Sequence, residues 1–373
     1  MPKPPPQPIP VFASFSGAGG VERMLINLIR GFVELGFPVD LLMAGSKSPH
    51  LARLPDGVRR IPLGSRHTLP SAVGVARYLR RQRPEALLVA KDRAGRAAVL
   101  ARRLAGVDTR IVLRLGTNLS AAMGERSALT RALRYAPIRL LYPFIETIVA
   151  VSAGVAADTA TVAAYPAARI SVIRNPVITP ELYRDAARPC SHPWLQKPRG
   201  ARVPVIVGAG RLQRQKDFPT LIRAFALLRA RRACRLLLLG DGRGRAALVE
   251  LIAALGIGAD VDLPGFQQNL YPFLANADLF VLASAWEGSP NVLTEAMALG
   301  TPVVATDCPS GPRELLADGR YGPLVPVGDA AALAHAMART LDGPLPPDVL
   351  TAAVSEYAQE ASTRHYLQVL GRG

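Results

Sequence analysis

Short apolar runs and longer amphipathic stretches alternate along nearly the whole chain. Ile9–Phe15, Val39–Met43, Ala86–Ala90, Arg110–Leu115, Thr147–Ser152 and Ile170–Ile173 punctuate the first half. Val203–Ala209, Arg235–Gly240, Leu279–Ser284 and Pro302–Thr306 punctuate the second. Runs of this length, rich in Val, Ile and Leu, belong to strands covered on both faces. Between them the composition is helical: through Met24 to about Leu35, then Leu69–Arg83, Ala94–Ala105, Pro219–Arg229, Val292–Leu299, Ala330–Asp342 and about Leu350–Leu370. Strands alternating with helices predict an α/β fold of doubly wound parallel sheets. The alternation lapses between Tyr183 and Pro204, where Pro189, Pro193, Pro198 and Gly200 mark a linker. Two domains are expected, 1–184 and 185–349, with 350–373 as a terminal helix.

Composition narrows the class. A chain of 373 residues with 49% apolar content can fill two cores. The best candidate for a membrane span, Leu140–Ala157, is interrupted by Glu146. Met1–Pro10 is mostly proline and reads as an extended tail rather than a leader. Cys190, Cys234 and Cys308 lack paired spacing, so neither a disulfide framework nor a zinc site is expected. A cytoplasmic protein is the expectation. Charge adds a second feature: residues 1–184 hold 26 Lys and Arg against 11 Asp and Glu, a net +15, whereas 185–373 hold 19 against 17. Such asymmetry speaks to partners rather than fold. Within it, Asn118–Phe144 interleaves Arg126, Arg131, Arg134 and Arg139 with Leu129, Leu133, Ile138, Leu140, Leu141, Tyr142 and Phe144. The simpler placement puts these leucines on the core and the arginines in water. The other is an interfacial helix on an anionic membrane surface, which would make the protein peripheral on the inner face of the cytoplasmic membrane. Nucleic acid is not expected as a partner, since no binding motif appears and aromatics are only 6% of the chain.

Candidate chemistry gathers in three strand-to-helix loops, where open α/β sheets bind ligands. The first, Ser16–Arg23, contains Gly17, Gly19 and Gly20, which let backbone amides approach a phosphate, but it has neither the dinucleotide fingerprint nor a P-loop ending. The second is Gly210-Arg211-Leu212-Gln213-Arg214-Gln215-Lys216-Asp217-Phe218. Its Arg211 and Lys216 can converge on one diphosphate, the guanidinium gripping two oxygens and the ammonium acting as a compact charge. The third runs from Ser284 through Glu287, Gly288, Ser289, Pro290, Asn291 and Val292 to Glu295. Here Ser289 is the expected N-cap and Pro290 the first helical residue. Glu287 and Glu295 can then face one crevice, with helix amides between them. Asp260-Val261-Asp262 has the form of a divalent-metal pair, but it precedes a Pro-Gly turn far from the other loops, and no metal is expected.

The third loop resembles the Glu-(seven residues)-Glu motif of retaining glycosyltransferases of family 4, which have the GT-B fold of two Rossmann-like domains facing a cleft. Gly19-Gly20-Val21-Glu22-Arg23 and Gly210–Asp217 are similar to two further motifs of that family, and the resemblance runs from Gly17 to Val327. It implies transfer of a sugar from a UDP- or GDP-linked donor to a glycan or lipid-linked glycan hydroxyl, as in cell-surface polysaccharide synthesis, with no cofactor or metal. Arg211, Lys216 and Glu287 would be catalytic. Gly19, Gly20, Gly210, Phe266, Gly288, Ser289, Pro290, Asn291, Val292 and Glu295 would bind the donor, with Phe266 near the base and Glu295 on the ribose. The last helix would cross back to the first domain. The chain departs from the family after Leu115, where a His is common: here stand Gly116, Thr117 and Asn118, of which Thr117 and Asn118 are candidates for acceptor contact. A non-transferring relative, such as a nucleotide-sugar 2-epimerase, is the alternative. It would need an acid/base set that the sequence does not flag.

Overall fold

The structure, a computed structural model, describes residues 6–15, 20–46, 48–65, 67–124 and 126–372. The chain divides into two units. The first holds a seven-stranded parallel sheet of β1 (Ile9–Phe15), β2 (Val39–Ser46), β3 (Val58–Pro62), β4 (Ala86–Ala90), β5 (Arg110–Leu115), β6 (Thr147–Ala150) and β7 (Ile170–Val172), in the order β3-β2-β1-β4-β5-β6-β7. The second holds a six-stranded sheet of β8 (Val205–Ala209), β9 (Arg235–Leu239), β10 (Val261–Gly265), β11 (Leu279–Leu282), β12 (Val303–Thr306) and β13 (Leu324–Val325), in the order β10-β9-β8-β11-β12-β13. The expected α/β class therefore holds for both halves.

Alternation within a strand distributes its residues between two cores. In the first unit, Val11 and Ala13 of β1 join a cluster with Met24, Leu25, Leu28, Ile29 and Phe32 of helix α1 (Gly20–Glu34) and with Tyr366, Leu367 and Leu370 of the C-terminal helix Gln359–Leu370. Phe12, between them, faces the opposite cluster, built with helices α2 (Ala72–Gln82) and α3 (Asp92–Ala105). Helix α4 (Ala128–Leu141) adds Ile138 to that second cluster.

Strand β3 escaped the hydrophobic pattern because it is an edge strand. Its Val-Arg-Arg-Ile-Pro sequence leaves two arginines exposed, and charge at a sheet edge discourages further pairing. Arg59 donates through Nε to Asp40 Oδ1 at 2.8 Å.

The unit boundaries differ from those expected. The chain passes between units at Pro176/Val177 and Ala358/Gln359 rather than at 184/185 and 349/350. The reason lies in contacts that composition does not show. Helix Pro180–Ala186 packs on helix Tyr271–Asn276 of the second unit, and the amides of Val177 and Ile178 both donate to the Tyr357 carbonyl at 3.0 Å. The long helix expected over Leu350–Leu370 is broken into Pro347–Ala353, a turn at Ser355–Tyr357, and Gln359–Leu370. Leu350, Val354 and Tyr357 are buried in the second unit, so only the last segment belongs with the first sheet.

Candidate active site

In an open parallel sheet, the crevice lies where two neighbouring strands send their connections in opposite directions. In the second unit that point falls between β8 and β11, because β8 leads outward to β9 and β10 while β11 leads to β12 and β13. The loop after β8 carries Arg211 and Lys216, and the loop after β11 carries Glu287. These two loops are joined directly. Lys216 Nζ donates to Glu287 Oε1 at 2.5 Å, and Ser284 Oγ donates to the same oxygen at 2.7 Å. The backbone repeats the connection: the Ala285 amide donates to Gln215 O at 2.8 Å, and Gln215 Nε2 to Trp286 O at 3.0 Å. Glu287 is 6% exposed, and its amide donates to Pro309 O at 3.1 Å. A buried carboxylate held by an ammonium and a hydroxyl has fixed direction as well as fixed charge.

The glycines of this crevice are there for proximity. A Cβ on Gly210 would lie 2.8 Å from Lys216 Cε, so the bare backbone makes room for that side chain. Gly240, at the end of β9, has φ +140°, and a Cβ there would stand 2.0 Å from the Gly210 carbonyl oxygen. Leu212 anchors the same loop by burying its side chain and donating its amide to Asp241 O at 3.0 Å. Arg211, one residue earlier, is exposed, and among the described residues it has no acidic partner.

The helix after Glu287 runs Asn291–Ala298 and places Glu295 inside the fold, 2% exposed. The direct cluster is Lys216, Glu287 and Ser284. The expected cap is corrected. Pro290 occupies the N-cap position, no side chain caps the helix, and Ser289 lies outside it. The carbonyl of Pro290 accepts the first helical bond, from the Leu293 amide at 2.9 Å. Gly288 and Ser289 lead from Glu287 to the Pro290 cap, and Asn291 and Val292 are the first two residues of the helix. Phe266 follows β10 and is 55% exposed, unusual for a ring of that size. Asp260 and Asp262 are engaged within the fold, the first by Arg229 Nε at 2.7 Å and the second by His192 Nε2 at 2.9 Å.

In the first unit the corresponding crossover point lies between β1 and β4. Gly19 falls outside the described residues, and Gly20 opens α1. Glu22, in the first turn of α1, is buried, and Lys91 Nζ at the end of β4 donates to its Oε1 at 2.9 Å. Lys91 has φ +78°, rare for any residue but glycine. Sequence reasoning missed this pair; a lone Lys after an apolar run carries no signal.

Thr117 is exposed, whereas Asn118 is buried and its Oδ1 accepts the Ala121 amide at 2.9 Å. Asn118 therefore shapes the turn after β5. The loop after β5 begins at Gly116. The guanidinium of Arg114 fills the space beside it, and a Cβ on Gly116 would meet Arg114 Nη1 at 2.5 Å. Arg114 is buried and donates through Nη2 to Asn175 Oδ1 at 2.7 Å; burial pulls its pKa below the ordinary arginine value.

Comparison with known proteins agrees with this architecture. Residues 18–181 match the model of "Glycosyltransferase Family 4", and residues 203–343 match that of "Glycosyl transferases group 1". The chain thus carries a family 4 glycosyltransferase domain followed by a group 1 glycosyl transferase domain, with the GT-B fold. Among its relatives, the lipopolysaccharide core biosynthesis glycosyltransferase LpsE of Rhizobium meliloti is 38% identical over 46% of this chain, a match that spans 50% of the length of LpsE. The N-acetylgalactosamine-N,N'-diacetylbacillosaminyl-diphospho-undecaprenol 4-alpha-N-acetylgalactosaminyltransferase of Campylobacter jejuni is 28% identical over 96% of this chain and 94% of its own. The structure of Anabaena HepE in complex with UDP and glucose superposes with a TM-score of 0.79 at 18% identity, covering 98% of this chain and 99% of that one.

Proposed function

We propose that this protein is a retaining glycosyltransferase that moves a sugar from a UDP- or GDP-linked donor to a hydroxyl of a glycan or lipid-linked glycan, in the synthesis of a surface polysaccharide or lipopolysaccharide. The observation that carries the proposal is the bond between Lys216 and Glu287, which pairs a diphosphate-binding cation with a sugar-orienting carboxylate at the β8/β11 crossover.

The reaction breaks the bond between the anomeric carbon and the diphosphate and forms one from that carbon to the acceptor oxygen. The acceptor proton passes to the departing phosphate. The demand is therefore positive charge at the leaving group within a site that excludes water. Arg211 and Lys216 meet it. Exposed, and without an acidic partner among the described residues, Arg211 would take a diphosphate bidentately, and Lys216 adds a second charge. Glu287, its direction set by Ser284 and Lys216, accepts from the sugar hydroxyls. Glu295 takes the ribose, Phe266 covers the base, and Gly210 with the backbone of Gly288–Val292 lines the donor. By the family resemblance Gly19 and Gly20 would contact the diphosphate, and Thr117 is the acceptor contact retained from the loop after β5. No cofactor or metal enters this reading. Relatives whose names place them in lipopolysaccharide core synthesis and on an undecaprenol-linked glycan support the acceptor class. The basic first unit is then suited to the anionic inner face of the membrane.

The test is a thermal-shift series with UDP, GDP and their sugar conjugates. One base should raise the melting point of the parent protein, because a ligand that binds only the native state stabilises it. Arg211→Ala should lose that shift and its turnover while keeping the unliganded melting point. No shift with any nucleotide, or full activity in Arg211→Ala, would overturn the reading.

A further inference from the structure

Helix α4 has two apolar faces, and the larger one is not the face that meets the core. Leu129, Leu133, Ala136 and Leu140 are spaced four, three and four apart, which lines them along one side of an α-helix. All four are exposed, and the three leucines are 71%, 69% and 70% accessible. Ile138 is the helix's sole buried residue, and it lies two positions from both Ala136 and Leu140, roughly half a turn round the helix. Partly buried Tyr135 packs on the same core cluster as Ile138, as does Tyr142 just beyond the helix. The core anchor is thus Tyr135, Ile138 and Tyr142, and the leucine stripe points away from it. This reverses the simpler sequence expectation, in which the leucines faced the core.

Single exposed leucines need no explanation, but a stripe of three on one helix does. What surrounds it indicates what covers it. Arg139 falls about a quarter-turn to one side of the stripe and Arg134 about a third of a turn to the other, and both are exposed. Arg126, Arg131 and Arg134 make no salt bridge to any described carboxylate. Past the helix, Phe144 is still 39% exposed, with the Arg103 guanidinium over its ring at 4.0 Å. A second copy of the chain laid on this face would oppose arginine to arginine. A nucleic acid would satisfy the arginines and leave the leucines in contact with phosphate. An anionic bilayer satisfies both, because leucines enter the acyl boundary while guanidinium groups reach back to the headgroup phosphates.

We propose that α4 is the membrane-docking element, lying in the bilayer interface with Leu129, Leu133 and Leu140 inserted and the arginines on anionic lipid. This deepens the reading that the basic first unit meets an anionic membrane, and it names the residues that do so. It does not depend on the donor chemistry.

The experiment is sedimentation of the full-length protein with vesicles of phosphatidylglycerol and phosphatidylcholine, against phosphatidylcholine alone. The parent should bind only the mixed vesicles and should be released by salt. A triple variant, Leu129→Gln, Leu133→Gln and Leu140→Gln, should keep its melting point and bind the mixed vesicles at least about tenfold more weakly. Separately, Leu133→Trp should gain blue-shifted emission, relative to the parent spectrum, with the mixed vesicles alone. If the triple variant binds as the parent does, or the new tryptophan stays in water, the basic unit meets the membrane by another surface and the assignment to α4 fails. If the parent ignores both vesicle types, the membrane reading fails with it. A parent dimer that the triple variant converts to monomer, without lipid binding, would assign the stripe to a second copy instead.

Discussion

Lys216 Nζ and Glu287 Oε1 are 2.5 Å apart although 71 residues separate them in the chain, and Ser284 completes a three-membered cluster at the β8/β11 crossover. The pair makes two predictions that separate catalysis from stability. Lys216→Ala leaves a buried carboxylate with one hydroxyl partner, which should lower stability by about 1–3 kcal/mol. It should also lower kcat by about 10²–10³, as expected when a charge placed at the leaving group is lost. Glu287→Gln keeps an acceptor for Ser284 and should be nearly as stable as the parent while still losing activity. Urea unfolding beside steady-state transfer assays decides. A Lys216→Ala protein that is inactive only because it has unfolded would sink the catalytic half of this prediction.

Phe266 is a large ring left mostly in water after β10, which suits a stacking contact with a base. Phe266→Ala should raise the donor KM by about tenfold, in keeping with roughly 1–3 kcal/mol for a base stacked on an aromatic ring. Its kcat and melting temperature should hardly move. An unchanged KM would remove Phe266 from the site.

Gly240 packs against the backbone of the loop after β8. A methyl group there would meet the Gly210 carbonyl oxygen at 2.0 Å, and both partners are backbone, so neither can yield cheaply. Gly240→Ala should therefore destabilise the second unit by more than about 3 kcal/mol, combining overpacking with φ strain. Calorimetry that finds the variant as stable as the parent would show that this loop can shift.

Lys91 pairs with Glu22 while its own backbone sits at φ +78°. Two substitutions isolate the strain. Lys91→Ala and Lys91→Gly both remove the partner of Glu22, but glycine adopts positive φ without steric penalty. The glycine variant should be the more stable of the two by about 1 kcal/mol, against the usual preference for alanine. Equal or reversed stabilities in chemical denaturation would mean that the backbone relaxes.

Burial raises the pKa of several native thiols and phenols. The Cys308 thiol is pushed up to about 12, Cys234 to about 11 and the Tyr366 phenol to about 12. At neutral pH these groups are protonated in both native and unfolded chains, so they leave stability unchanged there. As pH rises past about 8.5 the unfolded thiols ionise first, followed by the phenol near 10, and the native state is progressively disfavoured. Stability should fall from about pH 9 toward pH 12, by up to about 1.4 kcal/mol per pH unit for each group involved. The same protonation predicts that the native thiols react with a disulfide reagent at pH 8 only after unfolding. Urea midpoints that stay flat to pH 11 would contradict this.

The local patterns that made the class readable are short-range. Near-continuous apolar runs marked most of the strands, several to the residue, as at Ile9–Phe15, Ala86–Ala90 and Arg110–Leu115. The loop spacings drew attention to Arg211, Lys216, Glu287 and Glu295 because chemistry at a strand end leaves its residue types in sequence. The boundaries near Pro176 and Ala358 were not legible, because they follow from which core a helix joins, and that depends on partners distant in the chain.

The sequence by itself determined the alternation of strand and helix, the two parallel sheets, and which residues share a helix face or a loop. Tertiary structure alone decided that Lys216 meets Glu287, that Glu295 goes into the fold, that Asn118 serves a turn, and that the leucines of α4 face outward. The physical reason is that periodicity specifies a face but not its destination. On α4, Tyr135 and Ile138 compete with three leucines for the core, and the outcome is set by the shape of the surface formed by α3 and the helix Ala153–Ala163, to which residues scattered from Asp92 to Ala163 contribute.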